Sequence, residues 1–356
     1  MSIKIGVTEG KIPVRISPNS PNEHIAIFGL SGTGKSTKIE EIMQEIKASG
    51  STVVAFDLSG QDFLNLTSVN RIYANRDGVD LKIFDLRMVE NGRESYVNFL
   101  SYLVDTFTHV YKLGIRQQGV LRTALEYGIK YCSRYETEMD AIAAGLDGQN
   151  SDSATGVHNK LWQLLHGGIL RKSSKEFHLG EINILDFSGI NPTAQKELAE
   201  FILSFMWKKL RTESCRAGKL CLVIDECQHY LMKSNSVLLE MLRESRKYGV
   251  NIILSTQSTS GFTPTVMAAV NQTAVQLFFR PSVSDMKKIA DMIAPQGAGR
   301  WLLKLKKLNV GECVATGNLF ANGKELEPPF VIHSSYNAYN QSGKPDEIKQ
   351  LANIGR

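Results

Sequence analysis

The residues with the clearest capacity for chemistry lie in the run HIAIFGLSGTGKST, residues 24–37. Gly29-x-x-x-x-Gly34-Lys35-Ser36 has the spacing of a phosphate-binding loop. Gly29, Gly32 and Gly34 carry no Cβ, so the backbone can turn tightly and aim successive N–H groups at an anion. A helix beginning where the loop ends adds its dipole to the same anion. Lys35 is spaced to reach the β- and γ-phosphates, and the Ser36 hydroxyl to ligate Mg²⁺. Ser31, Thr33 and Thr37 complete the set expected around ATP.

A second constellation tests the first. The apolar run of residues 220–224 empties into Asp225-Glu226. Asp225 is expected to hold Mg²⁺, as hard oxygen ligands do, and Glu226 to polarise the water that attacks the γ-phosphate. That pair makes the chain an ATP hydrolase rather than a nucleotide binder alone. Downstream, the strand-like VNIILST ends at Gln257, whose amide either senses the γ-phosphate and the attacking water or satisfies a loop carbonyl. Arg246 stands at a helix end, where a cation complements the dipole; its sharper reading is an arginine finger for a neighbouring subunit. Arg280, ending the apolar run AVQLFFR, is the competing finger.

The elements that must position these residues read as an α/β alternation. Residues 2–16 alternate apolar and polar around a turn, a hairpin, and SPNSPNE is a loop. Residues 25–28 form a buried strand; Ile39, Ile42, Met43 and Ile46 give the following helix its face, and Gly50 ends it. Residues 52–56 are a strand ending at Asp57, which either lies near the metal or caps the next turn. Residues 81–84 suggest another strand. Residues 96–170 read as a helical insertion, interrupted by a loop at AAGLDGQNSDSATG. A strand at 181–187, a helix opened by Asn191-Pro192, a helix through Leu238, Met241 and Leu242, a helix at 284–293 and strands at 311–315 and 330–333 follow. Residues 302–307 form a basic amphipathic segment.

At 356 residues the chain can bury a large core. The basic surplus, 41 − 36 = 5, permits a nucleic-acid partner without demanding one. Five cysteines without a C-x-x-C pair fit reduced thiols and a cytoplasmic setting. No apolar run approaches the length of a membrane span, so no intrinsic membrane segment is expected.

GLSGTGKS, LVIDE and RKYGVNIILSTQS, in that order, resemble the FtsK/HerA superfamily of motor ATPases, which includes conjugation and coupling ATPases. GVTEGKIPV, DLSGQDF, INILDFSGI and LNVGECVATG are similar as well, so the likeness spans nearly the whole chain. The resemblance implies a RecA-like P-loop fold with a mainly parallel central sheet flanked by helices, in one ATPase domain over residues 1–340 with a polar arm at 341–356. It assigns ATP roles to Lys35, Ser36, Asp225, Glu226 and Gln257, and a trans-acting arginine to Arg246. It further implies a homo-hexameric ring drawing double-stranded DNA through its pore, with a nuclease or other effector as partner, in DNA processing, transfer or defence. Two rival readings are a conjugation or secretion ATPase moving a protein or nucleoprotein cargo, and a nucleotide-gated assembly scaffold.

Overall fold

The structure, a computed structural model, describes residues 3–213, 219–231 and 236–334. Within them thirteen strands join one sheet: β1 (Lys4–Val7), β2 (Pro13–Ile16), β3 (Ile25–Phe28), β4 (Thr52–Asp57), β5 (Asn70–Tyr73), β6 (Ile182–Asp186), β7 (Leu220–Ile224), β8 (Val250–Thr256), β9 (Val275–Phe278), β10 (Glu312–Gly317), β11 (Leu319–Ala321), β12 (Lys324–Glu325) and β13 (Phe330–His333). Their order is β12-β11-β2-β1-β13-β10-β9-β3-β8-β7-β4-β6-β5. From β9 to β5 every pairing is parallel. From β9 outward to β12 every pairing is antiparallel, and the N-terminal hairpin of β1 and β2 lies in that wing.

The parallel strands inside the edge strand β5 are buried on both faces, which is why they are near-continuous apolar runs. Side chains still alternate: Ile25, Ile27, Val53 and Ala55 face one core with Ile39, Ile42, Met43 and Ile46 of the Lys35–Ala48 helix. Ala26, Phe28, Val54 and Phe56 face the other, with Leu198, Phe201, Ile202 and Phe205 of the Pro192–Glu213 helix. Burial of each large apolar side chain contributes about 1.5–3 kcal/mol before entropy is counted. The consequence for the site is geometric. Parallel strands all deliver their carboxyl ends to one side of the sheet, where a ligand crevice forms.

Two local expectations are overturned. Residues 81–84 are not a strand: the Ile83 and Phe84 N–H groups donate to the Glu138 carboxylate at 2.8 and 3.2 Å, so they have no ladder to join. The strand in this part of the chain is β5, which runs beside β6. AAGLDGQNSDSATG is mostly helix, in the Glu138–Asp147 and Asp152–His166 segments, leaving only 148–151 between them. Its small residues serve close packing: a Cβ on Gly145 would meet the Ala124 carbonyl oxygen at 2.8 Å. Ser151 caps the second helix by accepting the Ala154 N–H at 3.2 Å. Together with Tyr96–Tyr111 and Ile115–Tyr131, these helices pack on one another, and Tyr96–Tyr111 also packs against the Pro192–Glu213 helix. The expected arm at 341–356 lies outside the described residues, as does Cys215.

Candidate nucleotide site

β3 delivers the loop into a slot between two neighbours. The Gly29 N–H donates to the Thr256 carbonyl at 3.2 Å and the Leu30 N–H to the Arg280 carbonyl at 3.0 Å, splicing the loop's first residues to the ends of β8 and β9. At the crest the Gly311 N–H donates to the Thr33 carbonyl at 3.0 Å. Two glycines are demanded by these close approaches: a Cβ would meet Phe279 Cβ at 2.6 Å from Gly29, and the Gly311 nitrogen at 2.8 Å from Gly34, both at positive φ. Thr33 Oγ1 and Lys35 Nζ both donate to the Leu30 carbonyl, at 2.7 and 3.0 Å. Lys35 is buried, as is Thr33; Ser36 and Thr37 are half-buried at the start of the helix, and Ser31 and Gly32 are exposed.

β8 lies between β3 and β7, so the phosphate loop and Asp225-Glu226 open on the same side, one strand apart. Burial lowers the Lys35 ammonium below its ordinary pKa, against the charges of Asp225, Glu226 and Asp62, which hold it up. Burial likewise raises the Asp225 carboxyl, against the Ser255 hydroxyl, the Glu226 N–H and the charge of Lys35. The acid pair and the loop lysine therefore share one electrostatic environment. Ser36, at the start of the helix, and Asp225, at the end of β7, both carry the hard oxygen donors that magnesium favours.

Glu226 leaves the strand with φ of 49°, a left-handed conformation that costs a non-glycine residue on the order of 1 kcal/mol or more. One of its carboxylate oxygens accepts from the Gln257 amide, the other from Gln228. Gln228 in turn accepts from Thr256 Oγ1 at 2.7 Å. Gln257 thus bonds to the acid, and the alternative of a loop carbonyl partner is not the one adopted.

Asp57 is the turn-capping residue of the two readings left open. It is fully buried, accepts the Gly60 N–H at 2.7 Å, and is paired with Arg71 at 2.8 Å; the same guanidinium nitrogen reaches Asp186 at 2.6 Å. Sequence reasoning missed Asp62, five residues beyond. Its carboxyl is pushed up to about 7 by burial and by the charges of Asp225, Asp57 and Glu226. A signal existed, since DLSGQDF follows a strand that ends in the crevice. Gln228, two residues past Glu226, was missed for want of any motif.

The two candidate arginines lie at opposite ends of the sheet. Arg280 is exposed beside this chain's own loop. Arg246 is exposed in the short turn Ser245–Tyr248 that precedes β8, so a seven-residue strand, about 20 Å, separates it from Gln257. It therefore lies at the strand end opposite this chain's own phosphate loop. The 302–307 segment is a helix, Ala298–Lys306, that buries Leu305 and leaves Lys304 and Lys306 exposed. Among the described residues no helix is long and apolar enough to cross a membrane.

A family model described as the helicase HerA central domain matches residues 3–206. The chain is similar to the DNA double-strand break repair helicase HerA of Saccharolobus solfataricus, at 22% identity over 339 residues, 89% of this chain and 66% of the relative. The corresponding protein of Sulfolobus acidocaldarius is 21% identical, with 89% of this chain and 67% of the relative covered. The chain thus spans about two thirds of the length of these relatives. Among solved structures it is similar to VirB4 of Thermoanaerobacter pseudethanolicus, with TM-score 0.71 and 16% identity over 96% of this chain and 98% of that one. It is also similar to the plasmid coupling protein TrwB in complex with ADP and Mg²⁺, with TM-score 0.61 and 18% identity over 93% and 89%. The fold is that of a RecA-like P-loop ATPase.

Proposed function

The chain belongs to the family of the helicase HerA central domain, and on that premise we propose that it is an ATP-driven motor that translocates double-stranded DNA. The observation that carries the reading is the convergence of Lys35, Asp225 and Glu226 on one crevice, with Glu226 held by Gln257. Gly29 and Gly34 let the loop pack against Phe279 and Gly311 where a Cβ would clash, the crest is open around Gly32, and Ser36 and Asp225 supply oxygen donors, so the residues fit a nucleoside triphosphate carried with magnesium. Magnesium there would neutralise developing phosphate charge. Lys35 would turn from the Leu30 carbonyl to the phosphates. Glu226 would take the proton of the attacking water, and the Gln257 amide would report the state of that acid to the end of β8. The single ATPase domain, its helical insertion at 96–170 and these residue roles are part of the same proposal.

Arg246, set far from its own loop, is read as donated to the next subunit in a head-to-tail ring, which we take to be hexameric. DNA contacts in the pore would be to the phosphate backbone. A nuclease or other effector is the proposed partner. The four described cysteines are unpaired, which supports a reducing, cytoplasmic setting.

The deciding experiment is ATPase rate against added nucleic acid. Long double-stranded DNA should raise turnover, and the stimulation should fall steeply with salt. Stimulation by a partner protein alone would move the reading to a protein-transporting ATPase. Stimulation by neither, with assembly on ATP, would leave a scaffold.

A further inference from the structure

His24 stands immediately before β3, outside every motif that carries the ATP chemistry, yet it is 2% exposed and both its ring nitrogens are engaged. Nδ1 accepts the Ile252 N–H of β8 at 3.1 Å. The proton therefore sits on Nε2, which faces Ser245 Oγ at 3.5 Å. Ser245 is fully buried; it ends the Val237–Glu244 helix and opens the turn whose next residue is Arg246. Glu23 reinforces the same corner, accepting from Asn251 at 2.6 Å and pairing with Lys219 at 3.1 Å.

We propose that His24 is a positioning residue that fastens the turn bearing Arg246 to the foot of the strand that ends in the phosphate loop. Only four residues, all of β3, separate His24 from Gly29. The strand that presents a nucleotide at one end thus holds, at its other end, the arginine offered to a neighbour. A neutral imidazole suits the task because it accepts on one nitrogen and donates on the other. Burial keeps it neutral, and the nearby Arg246 charge acts in the same direction while Glu23 opposes it. The proposal rests on the reading that Arg246 acts across the seam.

His24→Asn and Ser245→Ala separate this role from simple core packing. The Asn side chain retains an acceptor where Nδ1 stood but does not extend to Ser245; Ser245→Ala removes the other end and leaves the imidazole in place. Each variant should keep wild-type affinity for a fluorescent ATP analogue and lower kcat about tenfold at unchanged KM, the pattern of a lost transition-state contact. Neither should lower kcat further in an Arg246→Ala background. Mixed with Glu226→Gln subunits, each should regain turnover, because the defect lies on the donor side and the partner donates an intact arginine.

Losses that multiply with Arg246→Ala, a change in nucleotide affinity, or wild-type kcat in both variants would overturn the proposal. Wild-type kcat in Arg246→Ala itself would instead remove the arginine reading, so the two failures are told apart. If His24→Asn does not fold, Ser245→Ala carries the test alone.

Discussion

Gln257, at the end of β8, donates its amide to the carboxylate of Glu226, which leaves the end of the neighbouring β7. A strand end that touches the phosphate loop through the Thr256 carbonyl thereby also touches the acid proposed to activate water. Glu226→Gln should retain nucleotide affinity and lose turnover by about 10²-fold or more, the usual worth of a general base. Gln257→Ala should bind equally well with a smaller loss in kcat. Single-turnover hydrolysis alongside equilibrium binding distinguishes the two, and normal turnover in Glu226→Gln would remove that residue from the chemistry.

Lys35→Ala should abolish binding of the nucleotide rather than slow its hydrolysis, since the lysine is the loop's only side-chain cation and is held there by the Leu30 carbonyl, facing the charges of the acids opposite. Titration with a fluorescent ATP analogue measures this directly. Retained micromolar affinity would contradict it.

Arg71 holds two buried carboxylates, Asp57 and Asp186, and also donates to the Asp62 carbonyl at 2.8 Å. Removing the cation leaves both acids in the sheet end without a counter-charge. Arg71→Met should cost about 3–5 kcal/mol in urea denaturation, as for other buried pairs that lose one member. A loss under 1 kcal/mol would show that water reaches the acids.

His24 makes stability depend on acid. Its folded pKa is depressed from 6.5 to about 4 by burial. The unfolded chain therefore takes up a proton below pH 6.5 that the folded chain refuses until about pH 4. The contribution is whole above pH 6.5 and is lost as the pH falls from there to about 4, by on the order of 3 kcal/mol. His24→Asn should flatten the fall in melting temperature across that window. An unchanged pH profile would show that the ring is solvated.

Asp62 acts with the opposite sign. An acid raised to about 7 holds its proton in the folded chain long after the unfolded chain has released it, so its ionisation erodes stability as the pH rises from about 4 to 7. Asp62→Asn should melt a few degrees higher than the parent at pH 8 and with no advantage below pH 4. Equal melting temperatures at pH 8 would place Asp62 in open solvent.

Glu226 and Gln257 show how far local reading reaches. Each was identified from its place at the end of an apolar run, because a buried parallel strand must be apolar along its length and must release its polar residues at the crevice. The same logic located Asp225, the glycine and lysine spacing located the loop, and the 3.6-residue recurrence located the helices. It failed at residues 81–84, where the decisive partner, Glu138, lies more than fifty positions away. It failed again at AAGLDGQNSDSATG, where small polar residues usually mark a loop but here let two helices approach.

The sequence by itself determined the chemistry: the glycine spacing, the lysine, the acid pair and most of the strands and helices follow from backbone sterics and side-chain period, which are local. Only the tertiary structure decided which groups meet. That Arg71 pairs with both Asp57 and Asp186, that Asp62 joins the acids, and that Arg246 and Arg280 lie at opposite ends of the sheet all depend on how the strands are arranged in the sheet. Strand order is set by the packing of both faces at once, and no stretch of chain carries that information alone.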